Sequence, residues 1–385
     1  MTDLDILVFG ATGYTGALTA EYLAANAPSH VRWGLAGRSR DRLAALRDRL
    51  GVDVATIEAD IEDEASMRRM AESTRVLVTT VGPYVRYGEP AVAACAAAGT
   101  DYVDITGEAE FVDLMYVRHH AIAVRTGARL VHACGFDSVP HDLGALFAVR
   151  QLPEGRPIRL QGYVEASGTA SGGTLESAVT ALARSRHAAK ARAERRRVEP
   201  RPEHRRVRTE RGRPGHSPDV GAWVLPLPTL DPQIVARSAR ALDRYGPEFS
   251  YSHYWVAGNA ARAAVVSGAV VGAFALAKLP PARALLRRLR PPGAGPSEEQ
   301  RAKGWFRVRF VGTAGRAHRV VTEVCGGDPG YGETSKMLAE SALCLAQDSL
   351  PETAGQVTTA VAMGDALRER LEQAGITFRV VKSGT

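Results

Sequence analysis

Lysine is scarce in this 385-residue chain. There are five, Lys190, Lys278, Lys303, Lys336 and Lys382, and none has a tyrosine four residues before it. That absence excludes the Tyr-x-x-x-Lys proton relay of short-chain reductases. Cysteine is also sparse. Cys95, Cys134, Cys325 and Cys344 lie far apart and form no CxxC pair, which excludes a cysteine zinc site and a disulfide framework and fits a reducing cytoplasm. No HExxH, GxSxG, EF-hand or P-loop pattern occurs. The uncharged run Ala263–Ala277 is too short to span a bilayer, which takes about 20 residues. Asp3 and Asp5 lead straight into an apolar strand-like run, so no secretory leader is expected.

The net charge of +7 is concentrated in one place. Between Arg184 and Arg213 stand thirteen lysines and arginines against four glutamates, whereas the rest of the chain carries 36 basic and 38 acidic residues. The segment from Arg184 to Pro218 is rich in proline, poor in apolar residues and without periodicity, so it reads as a solvated, mobile insert. No aromatic interleaves its arginines, and no nucleic-acid partner is expected.

What is present is an alternation of strand and helix over residues 1–150. LDILVFG, VRWGLAG, VDVATIEAD, RVLVTTVG, DYVDITGE and ARLVHACGF read as strands, each followed by a helical pattern. The fold class is therefore α/β, a Rossmann-type doubly wound parallel sheet. From 151 to 327 longer strands take over, among them IRLQGYVEA, WFRVRFVGTA and RAHRVVTEVCG, the last two joined near Gly315. They predict an α+β second domain with an antiparallel sheet, serving substrate binding or dimerisation. Residues 328–385 read as two helices and a strand, the first helix opening at Asp328-Pro329 and expected to pack back on the first domain.

The sharpest motif is Gly10-Ala11-Thr12-Gly13-Tyr14-Thr15-Gly16, set between the first strand and its helix. Glycines there permit a tight turn and bring N–H groups at a helix N-terminus up to a pyrophosphate. At the end of the second strand an NAD enzyme places an acid. Here Arg38 and Ser39 occupy that place, donors suited to a 2′-phosphate, so NADP(H) is the expected cofactor. Gly82, Pro83 and Tyr84 follow the fourth strand and should border the nicotinamide. Tyr84 is then a candidate proton donor, with a packing role as the competing reading. After the sixth strand, Asp137 and His141 are further catalytic candidates; Asp137 or Ser138 could instead cap the next helix, and His132 reads as a core histidine.

Taken in order, GATGYTG, AGRS, the GPY loop, YVDITGE and GFDSVPHDLG resemble the saccharopine dehydrogenase-like oxidoreductases, and within them the bacterial trans-acting enoyl reductases. WFRVRFVGTA and DPGYGETSKMLAESAL are similar to the same branch, so the resemblance runs over nearly the whole chain. It implies a Rossmann domain plus an α+β domain, and reduction by NADPH of a carbon–carbon double bond on a polyketide-derived lipid intermediate. It also implies that Gly10, Gly13, Gly16 and Arg38 hold the cofactor, with Gly82, Pro83 and Tyr84 beside the nicotinamide. It supplies no placed catalytic acid. The competing functions are an amino-acid or imine oxidoreductase and a non-catalytic NADP-binding or membrane-associated protein.

Residues 251–290 combine Tyr251, Tyr254, Trp255, the uncharged run and the basic ARALLRRLRPP. A buried helix or homodimer contact is one reading; peripheral membrane contact admitting a carrier- or lipid-linked substrate is the other.

Overall fold

The computed structural model describes residues 3–167, 184–277, 296–315 and 317–384. The strands of the first domain are β1 (Leu4–Phe9), β2 (Trp33–Gly37), β3 (Ala55–Glu58), β4 (Thr74–Thr79), β5 (Asp101–Asp104) and β6 (Arg129–Val131). The helices between them are α1 (Tyr14–Asn26), α2 (Arg40–Leu50), α3 (Glu64–Glu72), α4 (Tyr84–Tyr87), α5 (Glu89–Ala98) and α6 (Ala109–Thr126), and α7 (Val139–Arg150) follows β6. The sheet is parallel, in the order β3-β2-β1-β4-β5-β6, and its central strands are apolar and buried on both faces, as helices on each side require. A seventh strand, β14 (Gly355–Val357), joins from the far end of the chain and pairs parallel with β6.

The second sheet contains β7 (Ile158–Ser167), β8 (Arg206–Thr209), β9 (Gly215–Ser217), β10 (Ala222–Pro226), β11 (Glu248–Gly258), β12 (Trp305–Ala314), β13 (His318–Gly326) and β15 (Thr377–Gly384). Its order is β15-β13-β12-β7-β11-β10-β9, with β8 on β11. The hairpin β12–β13 turns at Gly315, whose φ of +63° suits glycine. The sheet is mixed, because β7 and β11 run parallel, joined by a long crossover that carries the arginine-rich segment.

Helix α7 lies between the two sheets. A Cβ on Gly144 would meet Phe310 at 2.4 Å, so glycine is what lets this helix approach the second sheet. Leu143, Leu146 and Val149 of α7 share one buried core with Ile6 and Val76 of the first sheet and Phe310 and Val324 of the second. Buried Asp142 pins the packing by accepting bonds from Ser238 Oγ, Thr359 Oγ1 (2.8 Å) and the Ala360 N–H (2.8 Å).

Three expectations are corrected here. The segment 184–218 is not a free loop: Ser185–Val198 is a helix docked on α6, and Arg206–Thr209 is a strand. Arg195 is buried with its guanidinium over the Tyr116 ring at 4.0 Å, bonded to Asp113 and Glu199, and Arg184 makes a paired contact with Glu110. Arginine's long apolar stem allows such burial when carboxylates elsewhere in the chain meet its head group. Second, Tyr251 and Tyr254 are buried on opposite faces of β11, in separate apolar clusters, and are not presented to a membrane. The helix Ala260–Ala277 does carry Val265 outward, no described helix is long and apolar enough to cross a membrane, and the basic 282–292 stretch lies outside the described residues. Third, residues 328–385 do not all go to one domain: helix Gly332–Gln347 packs on α1 as expected and β14 extends the first sheet, but β15 edges the second. Asp328 starts that helix by accepting from the N–H groups of Gly330, Tyr331 and Gly332.

Candidate active site

Strand order reverses between β1 and β4, and the crevice beyond their carboxyl ends is where such sheets bind ligands. The Gly10–Gly16 turn sits there. Gly10 has φ +83°, its N–H is held by Ala36 O at 3.0 Å, and its carbonyl takes the Gly13 N–H at 3.0 Å. A Cβ on Gly16 would lie 2.2 Å from Gly10 O and 2.9 Å from the Ala11 Cα, so only glycine fits the crossing of turn and helix. Helix α1 then starts at Tyr14 and presents the unsatisfied N–H groups of its first turn to the crevice, Thr15 and Gly16 among them. This is a cradle for a pyrophosphate, and its residues fit a dinucleotide. Ala11 is buried below the turn and Thr12 is partly exposed at its rim. The Tyr14 side chain turns to the second domain: its hydroxyl donates to Pro296 O at 2.6 Å, accepts from Arg301, and its ring meets Tyr331 edge-on at 4.7 Å.

At the end of β2, Arg38 is exposed and Ser39 caps α2, its Oγ accepting from the Arg42 N–H. Sequence reasoning missed Arg42, one helical turn beyond Arg38. Its guanidinium donates to Thr12 O at 3.1 Å and so ties α2 to the glycine turn.

The loops after β4, β5 and β6 meet at the same edge. Gly82-Pro83 is a cis peptide, and Glu108 accepts from the N–H groups of Tyr84 (3.0 Å) and Val85 (2.9 Å), fixing α4. The Tyr84 ring is buried against Phe111. Its hydroxyl donates to Thr79 O at 3.0 Å and accepts from the Ile105 N–H at 3.4 Å. Burial pushes its pKa well up. Tyr84 is therefore corrected from proton donor to packing residue: its O–H is committed to the backbone. Asp104 organises the next loop, accepting from Tyr102 Oη (2.9 Å), His132 Nδ1 (2.6 Å), Thr106 N (3.0 Å) and Ala133 N (2.8 Å). Ala133 has φ +62°, a conformation alanine rarely adopts, and the Asp104 bonds hold it there. His132 is the core histidine its apolar surroundings imply.

Beyond this bend, Asp137 is half-buried over the β5 loop: a Cβ on Gly107 would touch its Oδ2 at 2.9 Å. Burial raises the Asp137 carboxyl above its ordinary value of 3.8. Neither Asp137 nor Ser138 makes the anticipated cap, since α7 starts without a side-chain cap bond. His141, in the first turn of α7, is buried with two residues the sequence did not single out, Asp231 and His253. They come from a distant helix start and from β11, and no local pattern marks them.

A parallel sheet in this order with a glycine turn at its switch point defines a dinucleotide-dependent oxidoreductase. Residues 6–131 match the family model described as the saccharopine dehydrogenase NADP-binding domain. A Mycobacterium tuberculosis relative, provisionally named a trans-acting enoyl reductase, is 40% identical over 99% of this chain and 98% of its own length. A Mycobacterium ulcerans trans-acting enoyl reductase is 36% identical over 99% and 98%. Among solved structures, the apo saccharopine dehydrogenase (L-Glu forming) of Saccharomyces cerevisiae shares the fold, with TM-score 0.59 and 10% identity, over 98% of this chain and 100% of that one. The chain belongs to the saccharopine dehydrogenase-like oxidoreductases, in the group of the trans-acting enoyl reductases. It is an oxidoreductase, and NADP(H) is its cofactor.

Proposed function

We propose that this enzyme reduces the activated carbon–carbon double bond of a carrier- or lipid-linked enoyl substrate, with Asp137 as the proton donor. The observation that carries this reading is full-length similarity at 36–40% identity to proteins named enoyl reductases, against 10% to the saccharopine dehydrogenase of like fold. Bound NADPH supplies the hydride. The Gly10–Gly16 turn would hold its pyrophosphate, Arg38 its 2′-phosphate, and Gly82 and Pro83 would border its nicotinamide. Asp137 supports the acid role because burial raises its carboxyl above the ordinary value, which favours the proton-bearing form, and it stands at the meeting of the β5 and β6 loops. The outward Val265 on the apolar helix Ala260–Ala277 supports a substrate presented from a lipid surface.

The test is NADPH oxidation by the purified chain with enoyl-thioesters, 3-ketoacyl-thioesters and imino acids in parallel. Consumption of the enoyl-thioester with formation of the saturated acyl product is expected. Turnover of imino acids alone would reassign the enzyme to C–N chemistry.

The cofactor assignment has its own measurement. Arg38→Ala should weaken NADPH binding about ten- to a hundredfold, because a charged hydrogen bond contributes roughly 1.5–3 kcal/mol. NADH binding should stay unchanged. If the unmutated chain binds both cofactors equally, Arg38 has no 2′-phosphate role.

A further inference from the structure

Three polar side chains meet in the interior where the two domains join. His141 lies in the first turn of α7, Asp231 opens the helix Asp231–Ala241, and His253 stands on β11. Each side chain is at most 3% exposed. His141 Nε2 lies 3.7 Å from Asp231 Oδ1, and His253 Nε2 lies 3.6 Å from Asp231 Oδ2. One donor atom from each of the three falls within 4.8 Å of the other two. The imidazole rings cross at 89° with centroids 4.9 Å apart.

These separations are too long for hydrogen bonds, yet His141 Nδ1, Asp231 Oδ1 and His253 Nε2 are buried without a partner. Orphaned buried polar atoms are costly, so three on adjoining side chains call for an explanation. The His–Asp distances bear on this. Donors bonded to a tetrahedral metal at about 2.0–2.1 Å lie about 3.4 Å apart, and the two His–Asp separations of 3.7 and 3.6 Å are close to that. The surroundings also orient the ligands. His253 Nδ1 is hydrogen-bonded to the Tyr251 hydroxyl at 2.9 Å, and with Nδ1 as the donor its Nε2 lone pair faces Asp231. Asp231 Oδ2 is fixed by the Thr229 hydroxyl. Burial pushes both imidazoles down, into the neutral form that ligates, and pushes the Asp231 carboxyl up. A dication at the centre would offset the cost of ionising that carboxyl.

We propose that His141, Asp231 and His253 form a site for one divalent transition-metal ion of the zinc class, which braces the two domains behind the Phe136–Ser138 loop. Two imidazoles and one carboxylate select such an ion over magnesium or calcium, which take oxygen ligands. Because the three ligands come from three elements, binding cross-links α7 to the second sheet one turn away from Asp137.

The test reads the metal directly and does not depend on the substrate. The full chain is stripped with a chelator, dialysed and titrated with Co²⁺, while visible absorption and bound metal are followed. One equivalent is expected, with the intense visible bands of a low-symmetry four-coordinate site, and Zn²⁺ should displace it and raise the melting temperature. His253→Ala and Asp231→Asn should each lose the bands, with NADPH binding retained as evidence of folding. Should either variant fail to fold, stoichiometry and spectrum of the unmutated chain decide the matter. Binding well below one equivalent, an octahedral spectrum, or equal binding by the folded variants would overturn the proposal.

Discussion

Replacing Asp113 with alanine is expected to lower the stability of the fold by about 3–5 kcal/mol, the cost of breaking a buried ion pair from one side. Asp113 lies on α6, 1% exposed, and its Oδ1 accepts from Arg195 at 3.4 Å and from Arg237. Those arginines belong to the helices Ser185–Val198 and Asp231–Ala241, so one carboxylate ties three helices together. Without it two guanidinium groups face each other in a space with little water. Burial and the Arg195 charge already pull the Arg237 pKa down to about 9. Glu199, bonded to Arg195 at 2.6 Å, compensates only in part. The measurement is the denaturant midpoint of the variant beside that of the parent, together with trypsin cleavage in 185–198, which should be slow in the parent and fast in the variant. A stability change under 1 kcal/mol would mean that the helix is held by apolar contact alone.

Asp137→Asn should reduce turnover on the order of a hundredfold or more while leaving NADPH affinity intact, since the amide keeps the volume but has no transferable proton. The pH profile separates this from a positional effect. Burial raises the carboxyl above 3.8, so its acid form persists to higher pH than an exposed aspartate would allow. The parent's rate should fall as pH rises through that raised value, because the protonated fraction falls. The residual rate of Asp137→Asn should lack that limb. A loss below threefold, or the same limb in the variant, would remove Asp137 from the reaction.

The local code was legible wherever the cause was local. Gly10, Gly13 and Gly16 stand where a turn needs a positive φ or a close backbone crossing, and the structure uses Gly10 and Gly16 in just that way. Asp328 ahead of Pro329 signals a helix start, and its carboxylate accepts from three backbone N–H groups there. Tyr84 stands at the edge of the sheet that the sequence implies, but the sequence leaves proton donor and packing residue both open, because the direction of a side chain in a loop depends on what packs over it. Phe111 on α6 and the Thr79 carbonyl decide that.

By itself, then, the sequence determined the alternation of strand and helix, the cofactor turn and the antiparallel hairpin near Gly315, since each follows from periodicity or backbone conformation within about ten residues. The fate of charges was decided by tertiary structure. Thirteen basic residues in thirty read as a solvated loop until Asp113 and Glu110 are brought opposite Arg195 and Arg184. His141, Asp231 and His253 are separated by 90 and 22 residues and become neighbours only when α7 is clasped between the two sheets. A buried charge is tolerable only beside its partner, and which partner arrives is a property of the packing, written nowhere in the spacing of the chain.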